Sequence, residues 1–219
     1  MKVTKEKAAE NRASLVNTAA RLFRERGIDG VGVAEISKQA GLTHGALYAQ
    51  FPSKEALAAE AFSASAQEGW ERVETNRDGG PAALADLLDY YMSLEHRDNL
   101  ASSCPMSASA SEIGRQDRVV SARFTEGFEK LASLLQLRAG TSLGKGEHRP
   151  RALTMAAAMI GGVAAARAVA KADSKLSNEI LRSVRQVVGE LGGEDLGVRT
   201  RTRARKKRAH GSRVRVRTA

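Results

Sequence analysis

The chain has 219 residues, a formal charge of +10, 42% hydrophobic residues and one cysteine. That is enough apolar content for a real core in one large or two modest domains, and a single cysteine excludes an intrachain disulfide framework and suits a reducing cytosol. The charge is local: ten of the 35 Lys and Arg lie in residues 199–219, which hold no acid, so the remaining 25 are balanced by 25 Asp and Glu. Basicity therefore argues for nucleic acid only through the tail.

Taken in order, the N-terminus MKVTKEKAAENR lacks the apolar core of a secretion signal. From Lys5 to Arg26 the chain reads as an amphipathic helix, with Leu15, Ala19, Leu22 and Phe23 on one face and Gly27 as its stop. Residues 32–51, GVAEISKQAGLTHGALYAQF, read as two short helices joined by a tight turn. Val33, Ile36 and Ala40 share a face, Gly41 suits a left-handed turn, and Leu42 is an apolar anchor. Thr43 is an N-cap whose hydroxyl can accept a free backbone N–H, and Leu47 and Phe51 lie four apart on the inner side of the second helix. Thr43, His44, Gly45, Ala46 and Tyr48 remain for the outer side. Small residues near the start of an exposed helix let the backbone approach a DNA major groove, and a phenol one turn on can reach phosphate.

The order Gly27-Ile28, Val33, Ile36, Ala40-Gly41-Leu42-Thr43, Gly45, Leu47-Tyr48, Phe51 and Lys54-Glu55 resembles the DNA-binding domain of the TetR/AcrR family of bacterial transcriptional regulators. The likeness covers the first quarter to third of the chain. Three positions depart from the pattern: Val31 and Gly32 stand where hydroxyl residues usually open the first motif helix, Ser37 replaces a common Ala, and Gln50 a common His. Gly is a tolerable N-cap, so the first change costs only tenths of a kcal/mol. The resemblance implies an all-α fold: an N-terminal three-helix, helix-turn-helix DNA-binding domain at 1–60, a helical ligand-binding and dimerisation bundle at 61–193, and a basic tail at 194–219.

After Phe51, Pro52 forbids continuation and Ser53 can cap a long helix from Lys54 to about Thr75, with Leu57, Ala61, Phe62 and Ala64 inward. A cation in that first turn opposes the helix dipole and is better explained by a nearby phosphate. Residues 76–81, NRDGGP, are a break, and Pro81 fits the first position of a helix from Ala82 to about His96 with Leu84, Leu87, Leu88, Tyr91 and Leu94 as its stripe. A polar gap, 95–103, leads to Cys104-Pro105, a short helix to Ile113, and a longer one from about Asp117 to Arg138 carrying Val120, Phe124, Phe128, Leu131 and Leu135. As an N-cap, Cys104 is expected to feel the positive helix end, which favours a thiolate and a role as oxidant or electrophile sensor. Residues 139–150 form a Gly-rich loop. The uncharged run 152–166 is short and rich in Ala and Gly for a bilayer span, which needs about 20 residues. Ile180, Leu181, Val184, Val187, Val188 and Leu191 repeat at helical spacing after it. Apart from VRVRV near the end, which is too basic to bury, no strand pattern occurs.

The small residues of 152–166 permit close helix packing, and the last two helices resemble the family's four-helix dimer interface, implying a homodimer through about 152–192. The resemblance also implies an effector pocket within about 82–170, with Trp70, Tyr90, Tyr91, Met92, Cys104, Met106, Phe124, Phe128, Met155 and Met159 as candidate lining. The four His are scattered singly and no HExxH, CxxC, phosphate-loop or nucleophile-elbow pattern occurs, so neither an enzyme, a cofactor nor a metal is expected. The expected function is a cytoplasmic regulator, a repressor released from a palindromic double-stranded DNA operator by a small molecule or by thiol modification. Thr43, His44, Gly45, Ala46, Tyr48 and Lys54 would make the DNA contacts. The rival classes are a sequence-indifferent DNA-coating protein acting through its tail, and an enzyme with an unrecognised pocket.

Overall fold

In the computed structural model, which describes residues 4–74, 82–139 and 148–193, every regular element is helical. Helix α1, Lys5–Arg26, starts at Thr4, whose hydroxyl accepts from the Lys7 N–H, and stops at Gly27 with φ +77°. Helices α2, Val33–Gln39, and α3, His44–Gln50, are joined through Gly41 at φ +72°, where a side chain would be strained. Helix α4, Lys54–Glu74, runs from this module into the body. There α5, Leu84–Tyr91, α6, Leu94–Asp98, a 3-10 turn at Leu100–Ser102, α7, Pro105–Ile113, α8, Arg118–Arg138, α9, His148–Ala170, and α10, Ser174–Leu191, complete the bundle.

Two apolar cores meet along α4. Leu57, Ala58 and Ala61 join Leu15, Ala19, Leu22, Phe23, Ile36, Leu47 and Phe51 in the N-terminal core, whereas Phe62, Ala66, Trp70 and Val73 join α5, α8, α9 and α10. Ile113 and Val120 also pack into the first core, so α7 and α8 brace the N-terminal module. Leu47 is wholly buried, which for a Leu is worth roughly 1.5–3 kcal/mol and fixes which side of α3 faces inward.

The expected helices appear with four corrections. The helix expected from Ala82 to His96 ends at Tyr91; Ser93 caps a new helix by accepting from the His96 N–H at 3.0 Å. That turn swings Leu94 out, 50% exposed, and buries His96 instead. The polar gap after residue 95 holds α6 and the 3-10 turn. Helix α9 begins at His148 rather than near Ala152, because Pro150 lies in its first turn, where its missing N–H is not needed. At 23 residues α9 is thus long and apolar enough by composition to cross a membrane, unlike the uncharged run alone; its inner face, including Met155, Met159 and Val163, packs in the bundle core. The break at 76–81, most of the 139–150 loop and the basic tail lie outside the described residues.

Candidate nucleic-acid interface and buried cavity

The outer side of α3 is set by what holds its inner side. The Arg12 guanidinium of α1 donates to the Gln50 carbonyl at 2.7 Å, lies 4.1 Å from the Phe51 ring centroid, and pairs with the Glu60 carboxylate of α4. The end of α3 is therefore tied to both flanking helices, while Ser14 Oγ donates to the Ala40 carbonyl at 3.2 Å and fixes the turn. With Leu47 inward, Thr43, His44, Gly45 and Tyr48 are exposed and Ala46 is half-buried. Thr43 Oγ1 accepts from the Ala46 N–H at 3.2 Å, so the cap read from the sequence forms. The His44 and Tyr48 rings meet edge to face at 5.1 Å, and a Cβ on Gly45 would meet nothing within 4 Å. Gly45 is thus not demanded by the packing of the free protein. Lys54 stands in the first turn of α4, where Ser53 Oγ accepts from the Ala56 N–H at 3.1 Å, and Lys54 enters no ion pair among the described residues. Five of the six lie in α3 or cap it, and Lys54 opens the helix that follows. Gly32 caps α2 without a side-chain hydrogen bond, as its lack of a hydroxyl dictates.

In the body, α4, α5, α6, α7 and α8 line a small, partly open cavity of about 30 Å³. Trp70, Tyr90, Tyr91, Cys104 and Met106 line it, together with His96, which the sequence did not single out. The other lining candidates do not reach it: Met92, Met155 and Met159 are buried core, and Phe124 and Phe128 stack on one another at 6.5 Å along α8. Their helical spacing marked them as inward, which is the signature of core as much as of lining.

The polar atoms of this cavity are few. His96 Nε2 accepts from the Cys104 N–H at a long 3.5 Å. Burial, reinforced by Arg167 and Arg72, lowers the His96 pKa to about 4, so the ring is neutral. His96 Nδ1 is buried without a hydrogen-bond partner; Tyr91 Oη is buried near the Cys104 thiol and the Ser107 hydroxyl but well aligned with neither, and burial raises the Tyr91 hydroxyl well above its ordinary range. Cys104 is the N-cap residue of α7 as read, with Pro105 at the first position. Its thiol, however, is pushed up rather than down, because desolvation outweighs the helix end and neighbouring donors. The expected thiolate is therefore not favoured.

The cavity wall is tied to the N-terminal module. Arg24 of α1 donates to the Ala101 carbonyl through Nε at 2.8 Å, and also to the Ser65 hydroxyl, while Arg72 donates to the Ser102 carbonyl at 2.9 Å. Ser102 lines the cavity. Asp29 N–H donates to Glu112 Oε1 at 2.8 Å, a second link between the module and α7.

Residues 15–61 match the family model described as bacterial regulatory proteins, tetR family. The chain is 40% identical over 73 residues to the HTH-type transcriptional regulator AcrR of Shigella flexneri, covering 33% of this chain and 30% of that protein. It is 36% identical over 83 residues to the A-factor receptor protein of Streptomyces griseus, covering 38% and 28%. These matches thus span less than a third of those relatives' own length. The fold is similar over far more: to Escherichia coli NemR in its reduced form with TM-score 0.66 and 21% identity, covering 82% of this chain and 95% of that one. A TetR transcriptional regulator from Chloroflexus aurantiacus J-10-FL gives 0.62 and 24%, covering 86% and 95%. Residues 15–61 are thus a helix-turn-helix module of the tetR family of bacterial regulatory proteins, and the all-helical body shares its fold with solved regulators of that type.

Proposed function

We propose that the protein is a dimeric, ligand-responsive transcriptional repressor that reads a palindromic operator with α3 and releases it when a small molecule enters the cavity between α4 and α8. The observation that carries the reading is the outer side of α3: Thr43, His44, Gly45 and Tyr48 exposed on a helix anchored through Leu47 and Arg12, with Lys54 opening the next helix. Names of relatives, among them an HTH-type transcriptional regulator and an A-factor receptor, support regulation by a ligand. A two-fold operator needs two headpieces. In support of a dimer, α9 exposes Thr154, Ala157, Gly161, Ala165 and Ala168 along one face, and α10 leaves Leu176 and Val187 42% and 52% exposed. A protein with this role works beside the chromosome, in the cytoplasm, and has no need of enzymatic turnover. The Arg24 and Arg72 bonds to the cavity wall supply a route by which its occupancy is felt at α1.

The test is a footprint of the full chain on DNA flanking its own gene, followed by titration of Lys54→Ala and Tyr48→Phe. Both variants lose affinity about equally for operator and scrambled DNA, and Lys54→Ala lowers the slope of log affinity against log salt by about 0.9 per headpiece. His44→Ala changes base preference instead. A Lys54→Ala protein that binds as tightly as wild type refutes this docking. The ten basic residues of the tail add sequence-indifferent affinity in this reading.

A further inference from the structure

Resting on the reading that α3 enters the major groove, we infer that Arg12 is a positioning residue for operator recognition: paired with Glu60, it fixes the angle at which α3 presents His44 and Tyr48, without touching DNA itself. Helix α3 is only seven residues long, about 10 Å at 1.5 Å per residue, and Leu47 is its one buried side chain. A single buried contact at mid-helix acts as a pivot. Among the described residues, the one side chain of another helix that hydrogen-bonds to α3 is Arg12, which donates to the Gln50 carbonyl at 2.7 Å. Pro52 stops α3, so that carbonyl has no following helical turn to accept from. Two residues further along α1, Ser14 Oγ donates to the Ala40 carbonyl at 3.2 Å, so α1 grips the helix-turn-helix at both ends.

The grip needs a guanidinium. Arg12 Nε donates to Glu60 Oε1 at 3.1 Å and Nη2 to Glu60 Oε2, while Nη1 reaches Gln50 and the group lies 4.1 Å from the Phe51 ring centroid. A planar fork makes these contacts at once, and the single ammonium of a lysine cannot. Glu60 both orients the fork and balances its charge, and each nitrogen of Arg12 already serves a protein acceptor, so the pair is ill suited to hold a phosphate. Released at its C-terminal end, α3 rocks about Leu47 and shifts His44 and Tyr48 with it. Base edges are read through hydrogen bonds of about 2.7–3.2 Å, so a shift of about 1 Å breaks them, whereas Lys54 follows a phosphate on a flexible stem. Loss of Arg12 therefore falls on specificity before it falls on affinity for DNA in general.

The experiment compares wild type, Arg12→Lys and Glu60→Gln as full chains, by fluorescence anisotropy on the footprinted operator and on a scrambled duplex of equal length. Each protein is assayed at a temperature where its circular dichroism shows it fully folded. Arg12→Lys keeps the charge, loses at least about tenfold on the operator and stays within about twofold on the scrambled duplex. Glu60→Gln also lowers the ratio of operator to scrambled affinity, although it deletes a negative charge from a DNA-binding headpiece. An unchanged ratio in Arg12→Lys, whether both affinities hold or both fall together, is what a phosphate contact or a purely stabilising cation gives, and it overturns the assignment. So does a Glu60→Gln protein that binds both duplexes more tightly in equal measure, because Glu60 would then act through its charge alone. Should Arg12→Lys fail to fold, Glu60→Gln decides by itself. The docking of α3 is scored separately through His44→Ala: if base preference does not respond to it, the docking has failed and this role falls with it, whereas a response beside an unchanged Arg12→Lys ratio strikes the role of Arg12 alone.

Discussion

Gly162, on α9, packs directly against Val184 of α10. A Cβ built there would lie 2.9 Å from Val184 Cγ2, 3.1 Å from its Cγ1 and 3.3 Å from its Cβ. Carbon atoms prefer about 3.5–4.0 Å, so a methyl group overlaps by roughly 0.2–1 Å on three atoms at once. Val184 has little scope to turn aside, since a β-branched side chain in a helix is largely confined to one rotamer. Gly162→Ala therefore forces α9 and α10 apart, an overpacking cost of about 1–3 kcal/mol, against which replacing a helical Gly gains about 1 kcal/mol. The net effect is a loss of about 1 kcal/mol, or roughly 2–4 °C in a domain of this size. Val184→Ala on its own also destabilises, by removing half-buried methyl groups. The double variant recovers, because two alanines fit where Gly and Val met, and the coupling energy is 1 kcal/mol or more in the favourable direction. Urea unfolding of the four proteins at one fixed concentration measures the cycle, the concentration being held because a dimer's stability depends on it. If Gly162→Ala is more stable than wild type by the full helix-propensity gain and the coupling is zero, the close approach is wrong.

Three further outcomes follow from the same geometry. Gly45→Ala adds a methyl group to open space on α3 and stabilises the free protein by about 0.5–1 kcal/mol in thermal unfolding, yet weakens operator binding; unchanged affinity would remove the argument from close backbone approach. His96, neutral in the folded state and held near pKa about 4 against an ordinary 6.5, binds a proton more readily when unfolded, so stability is full above pH 6.5 and falls as the pH drops toward 4. The loss over that window is about 3 kcal/mol and is absent in His96→Asn; Glu35 and Asp98, whose pKa values their arginine partners lower, add their own loss below it. Cys104, with its thiol pushed up by burial, reacts with iodoacetamide at pH 7.5 at least about tenfold more slowly than glutathione, and a faster reaction in the native protein would restore the thiolate reading.

What the sequence determined by itself is the part governed by neighbours along the chain. Thr4, Thr43, Ser53 and Asp117 cap the helices that follow them by accepting N–H groups two or three residues on, and Gly27 and Gly41 take positive φ where those helices must turn. Capping and left-handed turns are satisfied within a few residues, so they are written locally, as is the alternation of inward Leu47 and Phe51 with outward His44 and Tyr48. The all-helical body was legible for the same reason, from apolar periodicity. The cavity was not, because its lining comes from Ala66 to Leu131 across five helices, and periodicity marks a side chain as inward without saying whether it meets another side chain or a void. Phe124, Phe128, Met155 and Met159 look the same in sequence as Trp70 and Met106, and only packing separates core from lining. His96 is the sharpest case: the turn at Met92 and Ser93 rotates the chain so that a polar residue enters and Leu94 leaves. Likewise the thiol of Cys104 sits at a helix start that the sequence announced, but its ionisation is set by the depth of burial, which depends on the helices packed over it.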